Sequence, residues 1–129
     1  MNAYEVFERA YDVAKESYYA WNAWKRPDET IVCERAPTRR ERLTLMQLAV
    51  VALEESAVRE LVEACSALRK ALTFRQIKGD PLNWLKGTYA RMAGLRREVL
   101  LARLDAIFPP EEFLRHYEKA ANGEEPQRE

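Results

Sequence analysis

The thirty residues LTLMQLAVVALEESAVRELVEACSALRKAL, Leu43 to Leu72, decide the fold. Leu43, Met46, Val50, Leu53, Ala57, Leu61, Ala64, Leu68 and Leu72 recur in steps of three and four, the spacing of one face of an α-helix. No Gly or Pro interrupts them before Gly79. An unbroken helix here would approach 40 residues, roughly 60 Å at the usual rise. The Glu54-Glu55-Ser56 run predicts a break instead, with Ser56 as the cap of the second half.

Upstream, Thr38-Arg39-Arg40-Glu41 reads as a capping box, in which a Thr hydroxyl and the Glu three positions on satisfy the free N–H groups of a helix start. Asn2 and Glu5 repeat that signature at the chain start and predict a first helix from Ala3 to about Lys25. Tyr4, Tyr11 and Tyr18 recur every seven residues along it, as do Phe7, Ala14 and Trp21, and Trp24 extends the stripe. Such a stripe is an interface. Helical periodicity admits packing within the chain's own bundle, packing on another subunit, or stacking on nucleic acid. The expected role of Tyr4, Phe7, Tyr11, Tyr18, Trp21 and Trp24 is a subunit interface, because "RPDETIVCERAP", Arg26 to Pro37, reads as a proline-bounded linker that sets this helix apart.

Downstream, Asp80 and Pro81 supply an N-cap and a first-turn proline, which predict a helix from Pro81 to about Phe108. Gly87, Ala90, Ala93 and Gly94 thin its surface for close packing. Pro109 and Pro110 end it and start a last helix that stops at Asn122-Gly123. The expected fold is all-α: an N-terminal helical arm (1–26), a linker (27–37), an antiparallel bundle bringing the total to four or five helices (38–122) and a loose tail (123–129).

With 129 residues and 47% of them hydrophobic, the chain can bury one core, and four Gly against many strong helix formers agree with helix throughout. Arg supplies 15 of the 21 basic residues while Asn and Gln total seven, a balance compatible with life at high temperature. Cys33 and Cys65 have no second Cys or His nearby and form no metal motif; they read as buried thiols, with a disulfide between them as the alternative. His116 is the single histidine. No metal site, no cofactor and no nucleotide-binding or nucleophile motif is expected, and a non-enzyme follows. The acidic start of the chain lacks the pattern of a signal peptide, and the most apolar run, Leu43 to Leu53, is too short for a membrane span. A soluble cytoplasmic or virion protein is expected.

Charge is segregated although the net charge is zero. The segment 1–34 is net minus three, 35–53 plus three and 54–63 minus three; 69–103 carries nine basic against two acidic residues, and the remainder is net minus four. A basic block of this size is either the electrostatic footprint of a polyanion or a face that pairs with acidic segments within or between subunits. The phosphate reading selects Arg69, Lys70, Arg75, Lys78, Lys86, Arg91, Arg96 and Arg97, joined by Arg39, Arg40 and Arg42 ahead of them. Lys15, Lys25 and Arg26 beside the first aromatic stripe complete the candidate contacts.

The run Leu43 to Cys65 resembles the opening of a winged helix-turn-helix regulator, but no Gly marks a tight turn between Ala57 and Thr73, and "FRQIKGDPLNW" makes a poor wing. In size, helicity, an N-terminal helical arm and "YAWNAW" (Tyr19 to Trp24), the chain is similar to the α-helical major capsid proteins of filamentous viruses of hyperthermophilic archaea. That resemblance implies a dimer, of two copies or two paralogues, whose helices wrap double-stranded DNA in the A form and bury it in a helical filament. The arm's net acidity departs from it. A small helical subunit of an archaeal RNA-guided defence complex is the alternative of a different class.

Overall fold

The structure is a computed structural model that describes residues 2–25, 31–33 and 35–122, with side chains at all of these except 3, 23–25, 31–33 and 117–122. Among them six helices form: α1 (Ala3–Trp21), α2 (Arg39–Glu54), α3 (Val58–Thr73), α4 (Pro81–Ala93), α5 (Arg97–Asp105) and α6 (Glu111–Asn122). One hairpin interrupts them, β1 (Ala23–Lys25) paired antiparallel with β2 (Ile31–Cys33). Its register sets Ala23 against Cys33 and Lys25 against Ile31. The fold is therefore all-helical apart from three residue pairs. The first helix stops at Trp21 rather than Lys25, and part of the expected linker is strand, where β-branched Ile31 and Val32 favour extended backbone.

Three of the starts read from the sequence are built as local chemistry dictates. Asn2 and Glu5 form a reciprocal capping box, as do Thr38 and Glu41. The Asp80 carboxylate accepts from the Leu82 N–H at 3.0 Å, with Pro81 in the first turn. Helix ends follow a rule of their own. The Ala57 N–H reaches the Ala52 carbonyl, Gln76 reaches Ala71 and Leu95 reaches Ala90, each at 2.8 Å. Each bond closes a Schellman turn around one left-handed residue: Ser56 (φ 55°), Arg75 (φ 55°) and Gly94 (φ 72°). The long run thus breaks at Ser56 as expected, although Ala57 holds the N-cap position without a side-chain bond. The helix expected from Pro81 to Phe108 is two helices, because Gly94 takes the left-handed conformation that ends α4.

Packing answers the question posed by the aromatic stripe. Phe7, Ala10, Ala14, Tyr18 and Trp21 are buried in one core with residues of α2, α3, α4, α5 and α6, and α1 lies against both α2 and α3. For Phe7, Tyr18 and Trp21 the expected subunit interface gives way to the chain's own interior. Tyr11 is partly buried against that core; Tyr4 is half exposed, with its ring 4.4 Å from that of Phe113. The side chains of Trp24 and Lys25, and Arg26 entirely, lie outside the described residues, as does the tail from 123. Helix α2 is buried nearly all round, from Glu41 to Ala52, the mark of a helix enclosed by others.

A polar staple fixes α1 to the start of α2. The Tyr18 hydroxyl donates to the Arg35 carbonyl, and the Asn22 amide donates to that same carbonyl at 2.8 Å and to the Tyr18 oxygen at 2.6 Å. The Arg35 guanidinium in turn grips both oxygens of Glu41 at 2.7 and 2.8 Å. Burial pushes the Glu41 carboxyl up, but Arg35 and the Thr38 backbone N–H outweigh it and hold it below the ordinary carboxylate range.

Candidate nucleic-acid interface

The sequence groups the basic residues by position; tertiary structure sorts them by whether their charge is already spent. Arg40 pairs with Asp80 and so ties the start of α2 to the start of α4. That bond holds the Asp80 carboxyl below its usual range, with Lys86 adding to the effect. Arg39 meets Glu111 of α6 at 3.3 Å. Arg42 is buried and donates to the Pro37 carbonyl at 2.7 Å. It is part of the fold, not a phosphate contact. Arg96 pairs with Glu98 at 2.8 Å, and Arg103 holds Glu54 and Glu55 across the end of α2.

Four cations stand differently. Arg69 and Lys70 in the last turns of α3, with Arg75 and Lys78 just beyond it, form no ion pair among the described residues. Lys70, Arg75 and Lys78 are exposed, and Arg69 is half-buried. A basic residue in a last turn complements the negative end of the helix dipole, which accounts for Lys70 structurally. Arg75 and Lys78 lie past the helix, where that explanation ends.

Between this end of α3 and the end of α1 lies a groove of about 290 Å³ lined by Ala20, Ser66, Arg69, Lys70, Thr73 and Phe74. Phe74 is 70% exposed. The Thr73 hydroxyl donates back to the Arg69 carbonyl at 2.9 Å, which leaves its oxygen able to accept. Phe74 escaped the sequence reading because it follows the apolar stripe instead of continuing it. Its position two residues after Leu72 was the available signal, since that step leaves the helix's apolar face.

The basic block of the sequence is thus divided. Arg91 ends α4, and Arg96 and Arg97 begin α5. The thirteen residues of α4 separate them from Asp80 by about 20 Å. Arg91 and Arg97 are exposed and, like Lys15 on α1, form no ion pair among the described residues. A second groove, of about 300 Å³, lies between α1 and α6, where Tyr4, Tyr11, Phe113 and His116 meet Glu8 and Glu112; its carboxylates disfavour a polyanion.

The helix-turn-helix resemblance loses ground, since α3 runs unbroken from Val58 to Thr73 where its tight turn would fall. The first half of α3, which would enter the major groove, presents Arg59 already bonded to Glu63 at 3.4 Å, with Glu60 beside them. No strand follows α3 among the described residues. Nor does any cluster of His, Cys, Asp and Glu among the described residues suit a metal ion, and none of the described helices is long and apolar enough to cross a membrane. No protein-family model matches the sequence, and no curated protein or solved structure is significantly similar to it.

Proposed function

We propose that this chain is a non-enzymatic, self-assembling structural protein that binds nucleic-acid backbone without reading sequence. Its most concrete form, implied by the capsid-protein resemblance, is a subunit that packages double-stranded DNA in a filament. The observation that carries the reading is the cluster Arg69, Lys70, Arg75 and Lys78, without ion pairs among the described residues while Arg35, Arg40, Arg96 and Arg103 are matched to acids of the same chain. Clustered like charges repel one another. A phosphate chain relieves that repulsion and releases its condensed counterions. Self-association would draw on apolar surface left outside the core, such as Phe108, Val99 and Met92, all exposed.

Titration of unrelated duplexes with the whole chain at increasing salt tests the reading. Affinities should be equal across sequences, and four neutralised phosphates give a log-log salt slope of about −3.6. Replacing Arg69, Arg75 or Lys78 singly by Gln should each reduce the slope by about one, whereas Arg96→Gln should change it little. Affinity that ignores salt between about 50 and 200 mM, or depends on sequence, overturns backbone binding. Sedimentation as a monomer, with and without DNA, overturns the assembly part.

A further inference from the structure

We infer that the groove between the end of α1 and the last turn of α3 holds an unpaired nucleotide, its base stacked on Phe74 and its phosphate on Arg69 and Lys70. The inference rests on the polyanion reading and adds which form of nucleic acid this site takes. Ala20 and Phe74 give the groove apolar surface; Arg69, Lys70, Ser66 and Thr73 supply cations and hydroxyls. A nucleotide has the same division, an apolar base face beside a charged phosphate. Lys70 and Phe74 are four positions apart, so their Cβ atoms lie roughly 5–6 Å apart, as near neighbours along one helical face. That separation suits a base and its own phosphate.

Two physical arguments set the orientation. The carbonyl end of α3 carries partial negative charge, so within the groove the nucleotide's own phosphate is drawn to the Arg69 and Lys70 side chains one turn back. The base then falls toward Phe74, whose ring is largely exposed. Within a duplex each base face is covered by its neighbours, and away from the ends only an unpaired base can lie flat on a protein ring. Any base has such a face, so the site tolerates sequence. The same pole therefore binds phosphates of either form, and the groove adds affinity for unpaired strands alone.

The test compares a labelled single-stranded homopolymer with a duplex of equal length closed at both ends by hairpin loops too tight to splay a base, on the whole chain at fixed salt. Phe74→Ala should weaken single-strand binding by about five- to 150-fold, the range for loss of one stacked base, and leave duplex binding unchanged; Phe74→Tyr should restore it. The double variant R69Q/K70Q should weaken both forms. Single-strand affinity unmoved by Phe74→Ala overturns the stacking site while backbone binding stands. An equal loss on both forms overturns it too, since Phe74 would then be a wedge driven into duplex. Binding of neither form by the unaltered chain overturns the polyanion reading itself, and this inference with it.

Discussion

Tyr89 buries its hydroxyl without a hydrogen-bond partner among the described residues. Burial, then the nearby Glu55 and Glu60, pushes its pKa up to about 12. An unsatisfied buried hydroxyl costs about 1–3 kcal/mol, so Tyr89→Phe should leave stability unchanged or raise it within that range. Chemical denaturation reads the outcome, and a loss of about 1 kcal/mol or more would show that the hydroxyl has a partner worth keeping. Arg75 presents the converse case, a strained residue kept at an exposed position. Its left-handed backbone costs an L-residue roughly 1–2 kcal/mol. Strain of this kind persists where surrounding structure or function holds it. Arg75→Gly should therefore raise stability by about 1 kcal/mol while reducing the salt slope for DNA. A variant both more stable and equally tight would remove Arg75 from the interface.

At the scale of elements, α1 is held by burial at one face and by the Tyr18, Asn22 and Arg35 staple at its end. Trp21→Ala should cost about 3–5 kcal/mol, the range for emptying a buried aromatic site, against a total of about 5–15 for a domain of ordinary stability. Thermal and urea unfolding of the variant measure it. An arm that merely docked on another subunit would lose assembly and keep its fold. Two carboxylates make stability acid-sensitive, Glu41 in that staple and Asp80 paired with Arg40. Glu41 and Asp80 ionise more readily folded than unfolded. Their contribution is complete above the unfolded value near 4 and is lost as pH falls through the lower folded values. Glu41→Gln and Asp80→Asn should each flatten the acid limb of a stability-against-pH profile, since each removes a carboxylate held below its ordinary range in the folded chain. Equal profiles for the unaltered chain and Glu41→Gln would contradict this assignment.

Across the whole molecule, what the sequence displays is what neighbours in sequence determine. Asn2, Thr38 and Asp80 announce helix starts because a cap bonds to residues two or three positions away. Gly94 carried an equally local signal, yet it stands among Gly87, Ala90 and Ala93 and reads there as close packing. The left-handed turn at Arg75 carries no signal, since a non-glycine seldom takes that conformation. Nor does sequence separation reveal that Arg40 meets Asp80 or that Arg103 meets Glu54 and Glu55. That sorting takes Arg96 and Arg103 out of the basic block of nine residues and leaves Arg69, Lys70, Arg75 and Lys78 close in sequence around the end of α3. It also exposed the groove beside Phe74, which needs α1 and α3 side by side. The most direct test of that cluster is backbone amide shift mapping on the whole chain as a DNA duplex is added at low salt. The expected result is perturbation concentrated between Ser66 and Lys78, with Arg91 to Arg97 and the α1–α6 groove unmoved; shifts centred on Arg91 to Arg97 instead, or none anywhere, would contradict it.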